Sequence, residues 1–310
     1  MANSDNDVLL IYDNSSPRFS FINVDPLALE RSLRPSLGLD SPPFSYNQTF
    51  LLTRNSTAPG EGGGRTRGFS FEFEGMSFAL FGQFSPTMRD RALHGQFFVS
   101  PPLSEGRHNL MFEVAEEWKI YLMLDYAVVT GGQKGQYNKA ALVVMDDGTS
   151  EEVFYWGQWT PRTFGLETLN IPIYLPHQNN TRRTTTIGTG FRFRFSGTSI
   201  QVYGVKDMDR PGAYNLTWIL DDGGLQGVTY RVSAQEASDN TSKFAAPEYH
   251  PHWPMMSFSS LEPMVHTLTV NLTYIEGETQ GFIFDYMAYQ PTFSFGWEAV
   301  VQVVGVGSVQ

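Results

Sequence analysis

The stretch from Gly68 to Gly82 reads GFSFEFEGMSFALFG, and the stretch from Gly190 to Gly204 reads GFRFRFSGTSIQVYG. The second matches the first at a constant offset of 122 residues, with phenylalanine at the second, fourth and sixth positions of both. A repeat of this length indicates two copies of one domain. Both stretches alternate apolar and polar residues, which is the pattern of a β-strand with one buried face. The sequence therefore predicts an all-β protein.

Further landmarks recur in the same order in both copies: an acidic turn, the Phe-rich hairpin, a His-x-Leu strand and a final Asp-Tyr strand. In copy one they lie at 11–14, 68–82, 108–110 and 124–126, and in copy two at 144–147, 190–204, 266–268 and 284–286. The offset grows from 122 to 158 between Gly204 and His266, which places an insertion in copy two. Inside it, the turn sequence DDGG at 221–224 joins the alternating segments 213–220 and 226–232. This predicts a β-hairpin that copy one lacks.

Two domains suit a chain of 310 residues. We predict two tandem antiparallel β-sandwiches of jelly-roll type, the first trimmed relative to the second. The predicted bounds are 8–130 for domain one, 131–140 for a Gly-rich linker, 141–291 for domain two and 292–310 for a β-prone tail. The one helical segment predicted is a short turn over residues 26–33.

The motifs of copy two also form a pattern with a wider likeness. They are Met145-Asp146-Asp147, Tyr155-x-Gly157-x-Trp159, Phe195-x-Gly197-Thr198, His266-x-Leu268-x-Val270 and Phe284-Asp285-Tyr286. This pattern resembles secreted or membrane-anchored proteins of mushroom-forming fungi that carry tandem jelly-roll, galactose-binding-like domains. The resemblance covers nearly all of copy two and is degenerate in copy one, where Asn14 stands at the position of Asp147. It implies the fold and an extracellular setting, and it brings no catalytic residues with it.

Seven of the 14 asparagines lie in Asn-x-Ser/Thr sequons, the acceptor sites of N-glycosylation. They are Asn14, Asn47, Asn55, Asn179, Asn215, Asn240 and Asn271. This number predicts a glycoprotein that is secreted or displayed on the cell surface. No apolar run reaches the roughly 20 residues of a membrane helix, so we expect membrane attachment only through a segment absent from this chain.

The net charge of −11 disfavours nucleic acid as a partner. Phosphate binding needs clustered lysines and arginines, and we identify two short basic pairs in predicted loops as exceptions. These pairs are Arg65 with Arg67 and Arg182 with Arg183.

A histidine and an aspartate recur in the last two landmark strands, as His108 and Asp125 in copy one and His266 and Asp285 in copy two. One interpretation is a catalytic or metal-binding pair. The other is a structural role, in which the aspartate accepts backbone hydrogen bonds. We favour the structural role, because a single active site is rarely duplicated intact.

Asp146 and Asp147 are candidate ligands of a structural Ca²⁺, which takes carboxylate and carbonyl oxygens. The alternative is a simple turn in which an aspartate caps its own backbone. No other cofactor is expected.

The densest group of aromatic residues lies in copy two and includes Trp156, Trp159, Trp218, Tyr230, His250, His252 and Trp253. Sugar rings stack on exposed aromatic side chains, while carboxylates and amides bind their hydroxyl groups. We predict that residues 248–256 form a loop at one end of the sandwich and that Trp253 supplies a stacking plane. The remaining predicted ligand-binding residues are His252, Trp218, Tyr230, Asp221 and Asp222. The alternative is a loop that plugs the end of the sandwich.

Three functions follow as hypotheses. The first is a non-catalytic, extracellular glycan-binding or cell-wall protein, and the second is a structural protein that self-associates through exposed strand edges and the tail. The third is a glycoside hydrolase or lyase, which needs two nearby carboxylates. Candidates for these are Asp221, Asp222, Glu151 and Glu152. Because the chain has no cysteine, no G-x-S-x-G and no H-E-x-x-H motif, we favour a protein without catalysis.

Overall fold

The computed structural model describes residues 8–13, 18–22, 51–53, 67–85, 94–114, 121–131, 142–146, 153–163, 175–208, 211–237, 249–277 and 280–292. The helical turn predicted at 26–33 and the tail beyond residue 292 lie outside the described residues. Of the predicted linker, only Gly131 is described, as the end of a strand.

Copy one contributes eight strands within the described residues. They are β1 Val8–Asp13, β2 Phe19–Ile22, β3 Leu51–Thr53, β4 Arg67–Gly75, β5 Ser77–Ser85, β6 His94–Val99, β7 Gly106–Val114 and β8 Tyr121–Gly131. One sheet has the order β2-β4-β7, and the other contains β6, β5, β8 and β1 as neighbours, with β3 also on β8.

Copy two contributes ten strands, one 3-10 turn and a short helical segment at 234–237 within the described residues. The strands and the 3-10 turn follow in chain order. They are β9 Leu142–Asp146, β10 Val153–Trp156, β11 Thr160–Thr163, the turn His177–Asn179, β12 Asn180–Thr184, β13 Gly190–Asp207, β14 Gly212–Leu220, β15 Gln226–Val232, β16 Tyr249–Phe258, β17 Met264–Glu276 and β18 Phe282–Pro291. Every described strand pair of the two copies is antiparallel, which confirms the predicted class of two β-sandwiches.

The Phe-rich stretch does not form a hairpin, so this detail of the prediction is wrong. In copy one it gives two strands of different sheets: β4 pairs with β2 and β7, whereas β5 pairs with β6 and β8. In copy two the same stretch is the single strand β13. Its first half pairs with β10 and β17, and its second half pairs with β16 and β18. In both copies, therefore, this stretch crosses from one sheet to the other.

A glycine stands at the crossing point of both copies because another strand passes very close to it. A Cβ atom on Gly75 would lie 2.5 Å from the carbonyl oxygen of Thr130. A Cβ atom on Gly197 would lie 2.6 Å from the carbonyl oxygen of Gln290. Any larger residue would push the last strand of the copy away, so these glycines of the repeat have a steric cause.

The strand registers confirm the internal repeat. His108 lies opposite Phe73 in copy one, and His266 lies opposite Phe195 in copy two. In the second sheets, Tyr126 lies opposite Phe81 and Tyr286 opposite Tyr203. The sequence predicts these equivalences from the offsets of 122 and 158 and from the offset of 160 between residues 124–126 and 284–286. The structure has the same equivalences.

The two copies share one continuous sheet, a feature that the sequence analysis did not predict. Their first strands, β1 and β9, pair with each other, with Leu10 opposite Val143. Since β8 pairs with the other edge of β1 and β18 with the other edge of β9, the sheet runs without a break from one copy into the other. Leu10 and Val143 are equivalent residues, so an approximate twofold axis passes between them.

Two large clusters of buried residues lie on opposite faces of this shared sheet. The main core contains the phenylalanines of the repeat from both copies, such as Phe71 and Phe193. The second cluster, which we call the inter-copy core, takes four residues from each copy. They are Ile11, Phe81, Tyr126 and Val128, with their equivalents Val144, Tyr203, Tyr286 and Ala288.

The predicted hairpin of the insertion is present as β14 and β15. It extends one sheet of copy two, because β14 pairs with the outer edge of β17. In copy one the equivalent strand, β7, pairs with β4 alone among the residues that the structure describes. Within the described residues, copy one is therefore the trimmed copy, as predicted.

Candidate functional site

Asp221 lies at the tip of the hairpin and forms hydrogen bonds with residues of β17. One carboxylate oxygen lies 2.7 Å from Nδ1 of His266, and the other accepts the backbone N–H of Thr267 at 2.7 Å. Burial lowers the pKa of His266, but the hydrogen bonds to Asp221 and to the Glu262 carbonyl outweigh this effect and raise the pKa. Asp221 is thus engaged within the fold, while Asp222 is exposed at the turn.

Residues 249–258 are the strand β16, so the predicted loop at 248–256 is wrong for the residues described. Its two prolines, Pro251 and Pro254, are compatible with a strand because β16 pairs only with β13 among the described residues. Trp253 is half-buried on this strand, packs against the main core and has the ammonium group of Lys206 4.8 Å from its ring centre. Its ring is therefore only partly accessible to a sugar.

The other predicted binding residues lie mainly on the inner side of the sheets. His252 is only 2% exposed, and its Nδ1 lies 3.2 Å from the hydroxyl of Tyr286. Tyr230 packs against the main core and donates its hydroxyl to the carbonyl of Met255. Trp218 packs on the same core and donates to the side chain of Gln226 at 3.2 Å. The structure does not bring the six predicted residues together in one accessible site.

The recurring aspartates occupy equivalent β-bulges. In each copy the pairing of the last strand skips one residue, and the skipped residues are Asp125 and Asp285. Both are fully buried, and the Asp285 carboxylate accepts the backbone N–H of His177 with N···O distances of 3.1 and 3.3 Å. This contact supports the structural interpretation of Asp285.

His177 is a buried titratable residue that the sequence analysis missed. Its ring packs 5.5 Å from Phe81 of copy one and 5.1 Å from Tyr286 of copy two, and its Nδ1 lies 3.3 Å from the hydroxyl of Tyr126. Burial, and to a lesser degree the neighbouring His252, lower the pKa of His177 to about 3. A neutral imidazole therefore joins the two copies at neutral pH.

The predicted calcium site is only partly described. Asp146 is buried, and one of its oxygens accepts a hydrogen bond from the amide of Asn180 at 3.2 Å. Asp147 lies outside the described residues. Among the described residues, no group of three or more histidine, aspartate or glutamate side chains is placed to hold a metal ion. Since Ca²⁺ takes six to eight oxygen ligands, the site stays a prediction.

Three of the seven sequons fall within the described residues. Asn179 ends the 3-10 turn, and Asn215 and Asn271 lie on β14 and β17. Asn14, Asn47, Asn55 and Asn240 lie outside the described part of the chain.

One broad sheet face of copy two points away from the core. This face is built by β10, the first half of β13, β17, β14 and β15, which pair in this order. We call it the outer face of copy two and define it by Phe154, Trp156, Arg192, Arg194, Thr217, Ile219, Thr267, Thr269 and Asn271. These residues alternate along their strands with buried residues such as Phe191, Phe193 and Leu268.

Phe154 and Trp156 are the aromatic residues of the outer face. Phe154 is 63% exposed, and the two ring centres are 6.2 Å apart. Trp156 lies against Gly190, where a Cβ atom would come within 2.6 Å of the indole. The indole N–H donates to the carbonyl of Gly188 at 3.0 Å, which fixes the ring on the sheet. The glycine thus leaves space for a flat aromatic ring on the sheet surface.

Polar side chains continue this surface across the neighbouring strands. One row across the strands runs Phe154, Arg192, Thr269 and Ile219, and the next runs Trp156, Gly190, Asn271 and Thr217. The side chains of Arg192 and Arg194 are exposed and form no ion pair with any residue that the structure describes. The outer face therefore combines aromatic rings, hydroxyl and amide groups, and positive charge.

Copy one has a different set of residues on its equivalent face. Ser20 and Ser70 occupy the positions of Phe154 and Arg192, because the two strand pairs have the same register. Glu72 occupies the position of Arg194 and pairs with Arg107 at 2.6 Å. The aromatic and positively charged face is thus specific to copy two.

In the part of the chain that the structure describes, no helix is long and apolar enough to span a membrane. No family model matches the chain, and no curated protein matches it.

Several solved structures are similar to the chain at low similarity. A two-domain esterase, CEX, active on acetylated mannans and co-crystallised with mannopentaose, is 15% identical, with a TM-score of 0.33 over 52% of this chain and 40% of that one. The chain thus matches about two fifths of the length of this esterase. The tandem CBM22 domains of Paenibacillus barcinonensis Xyn10C are 9% identical, with a TM-score of 0.29 over 94% of this chain and 99% of that one.

The carbohydrate-binding module TmCBM61, in complex with β-1,4-galactotriose, is 12% identical, with a TM-score of 0.24 over 47% of this chain and 86% of that one. Structures of carbohydrate-binding modules are therefore among those that the chain resembles. At these TM-scores the likeness gives no information about the ligand of this chain. The class of ligand is therefore argued from the chemistry of the outer face.

Proposed function

We propose that the protein is a non-catalytic, extracellular glycan-binding protein and that the outer face of copy two is its contact surface. The observation that carries this proposal is the pair of aromatic rings, Phe154 and Trp156, on a sheet face that copy one keeps free of aromatic residues at the equivalent positions. This proposal replaces the predicted site at the hairpin and β16 with the outer face of the sheet that contains the hairpin.

The chemistry of the outer face suits a sugar chain. Aromatic rings offer apolar surface to the C–H face of a pyranose, and side chains with hydroxyl or amide groups exchange hydrogen bonds with its hydroxyl groups. Phe154 and Trp156 lie on β10, which pairs with β13. Thr269 and Asn271 lie on β17, which pairs with the other edge of β13. A sugar that stacks on either ring would therefore have polar partners beside it.

The sequon Asn271 lies on this surface, next to Trp156. A glycan attached to Asn271 would cover the aromatic rings, so the chain's own glycan is a competing occupant of the face. Protein produced in bacteria carries no N-glycan and presents the bare face. For this reason the binding experiments use bacterially produced protein.

Trp156→Ala is expected to weaken glycan binding at least about thirtyfold, because the loss of an aromatic anchor commonly costs about 2 kcal/mol or more. A panel of plant and fungal cell-wall polysaccharides, screened by affinity electrophoresis, would select the ligand for titration calorimetry. Phe154→Ala is expected to weaken the same binding, and the unfolding midpoints of both variants are expected to stay close to that of the parent protein.

The matched control is Phe98→Ala, which removes an exposed aromatic side chain of copy one. It should leave affinity unchanged. Binding that survives Trp156→Ala and Phe154→Ala but is lost with Phe98→Ala would contradict the proposed face. The absence of binding to every polysaccharide of the panel would contradict the proposed function.

The other two hypotheses stay predictions. For self-association, the outer edge of β7 is the place where a second chain would add, since β7 pairs only with β4 among the described residues. For glycoside hydrolysis, Asp221 is bound to His266 and Thr267, while Glu151 and Glu152 lie outside the described residues.

A further inference from the structure

We infer that the outer face of copy two selects glycans that carry carboxylate groups, such as those of uronic acid residues. This inference rests on the proposed function and adds the chemical class of the ligand. It is carried by the two arginines of the face rather than by its aromatic rings.

Arg192 and Arg194 differ in their surroundings from other basic residues of the described chain. Arg107, Arg183, Lys206 and Arg231 each have a carboxylate within 4 Å, namely Glu72, Asp207, Glu236 and Glu276. Arg192 and Arg194 have no such partner and no hydrogen bond among the described residues, although the chain carries a net charge of −11. Among the described residues, no carboxylate therefore neutralises the positive charge of the outer face, and this charge attracts an anionic ligand to this position on an acidic protein.

The placement of the two guanidinium groups favours a chain with several anionic groups. Both side chains leave β13 on the same side, two residues apart, so their Cα atoms are about 6.6 Å from each other. Each planar guanidinium can bind one carboxylate through two parallel hydrogen bonds. Two forks in line along one strand match carboxylates that repeat along a polymer better than they match one isolated anion.

The neighbours of the arginines restrict the ligand to a glycan. Arg192 lies between Phe154 on β10 and Thr269 on β17, and Arg194 lies beside Thr267. Each charged group is thus flanked by hydroxyl groups, and Arg192 also by an aromatic ring. A sugar acid offers all three complementary groups: a carboxylate, hydroxyls and an apolar ring face.

Copy one supports the assignment as an internal comparison. At the positions of Arg192 and Arg194 it has Ser70 and Glu72, and Glu72 is paired with Arg107. The strand register is therefore the same in both copies, and within the described residues only copy two has positive charge without an ion-pair partner at these two positions.

Titration calorimetry with hexagalacturonate and with its fully methyl-esterified form tests the inference, because the two probes have the same sugar chain and differ in whether their carboxyl groups are free carboxylates or neutral methyl esters. We expect the acidic probe to bind at least about tenfold more tightly, and this preference to shrink as ionic strength rises. Arg192→Gln and Arg194→Gln should each weaken binding of the acidic probe about tenfold or more and leave the affinity for the ester almost unchanged.

The matched control is Arg231→Gln on β15, which removes an exposed arginine that is already paired with Glu276. It should bind both probes as the parent protein does. Equal affinity for the two probes, with Trp156→Ala still abolishing binding, would overturn the inference and leave the proposed function standing.

Two further outcomes also decide the matter. Equal or tighter binding of dextran sulfate would overturn the preference for carboxylates and indicate non-selective attraction of anions. No binding of hexagalacturonate, its ester or any polysaccharide of the panel would overturn the inference and the proposed function together.

Discussion

Replacing Asp285 with alanine is expected to lower the free energy of unfolding by about 1–3 kcal/mol, the cost of leaving a buried hydrogen-bonding group without its partner. The Asp285 carboxylate is fully buried and accepts the backbone N–H of His177. The substitution would leave this N–H without its acceptor and open a small cavity beside the inter-copy core. Denaturant titration at neutral pH, fitted with a common slope, measures the loss.

Asp285→Asn is the matched control, because an amide oxygen can still accept the N–H of His177. It should lose less stability than Asp285→Ala. An alanine variant with unchanged stability but without glycan binding would contradict the structural role of Asp285 and restore a functional one.

Acidification from about pH 6.5 towards pH 4 is expected to destabilise the protein through His177. Its pKa is about 3 in the folded state because burial disfavours the imidazolium, whereas an unfolded histidine has a pKa near 6.5. Below pH 6.5 the unfolded chain therefore binds more protons than the folded one, and stability falls as the pH falls. At about 1.4 kcal/mol per pKa unit, the loss amounts to several kcal/mol. His250, with a pKa lowered to about 4 mainly by burial, acts in the same direction.

His177→Phe separates this effect from general acid denaturation. Phenylalanine retains the backbone N–H to Asp285 and the ring packing against Phe81 and Tyr286, but it takes up no proton. The unfolding midpoint of this variant should depend less steeply on pH between about 6.5 and 4 than that of the parent protein. Parallel curves for the two proteins would show that His177 does not contribute to the acid sensitivity.

Most of the strand pattern could be predicted from the sequence because the repeat supplies two independent copies of each signal. The offsets of 122, 158 and 160 correctly predicted which residues are equivalent, including Asp125 with Asp285 and His108 with His266. The pairing of β1 with β9 could not be predicted in this way. Alternation along a strand shows which residues face the core, but it does not reveal the neighbouring strand.

The candidate site was harder to predict, for reasons of local structure. We predict a loop at 248–256, but the described part of this segment is the strand β16. A strand paired on one edge among the described residues accommodates its two prolines, and Trp253 lies on this strand. The segment 153–156 is apolar or aromatic at all four positions, so its periodicity could not show that Phe154 and Trp156 face outwards. That Arg192 and Arg194 have no ion-pair partner among the described residues depends on side chains from other strands, which only the structure brings together.

The central claim is that the outer face of copy two binds glycans, and the internal repeat provides its most direct test. The quadruple variant Phe154→Ser, Trp156→Ile, Arg192→Ser and Arg194→Glu gives this face the residues that copy one carries at Ser20, Ile22, Ser70 and Glu72. Titration calorimetry with the glycan that the parent protein binds most tightly should then detect no binding, while the circular dichroism spectrum and the stability of the inter-copy core stay unchanged. A folded quadruple variant that binds this glycan with the affinity of the parent protein would contradict the claim.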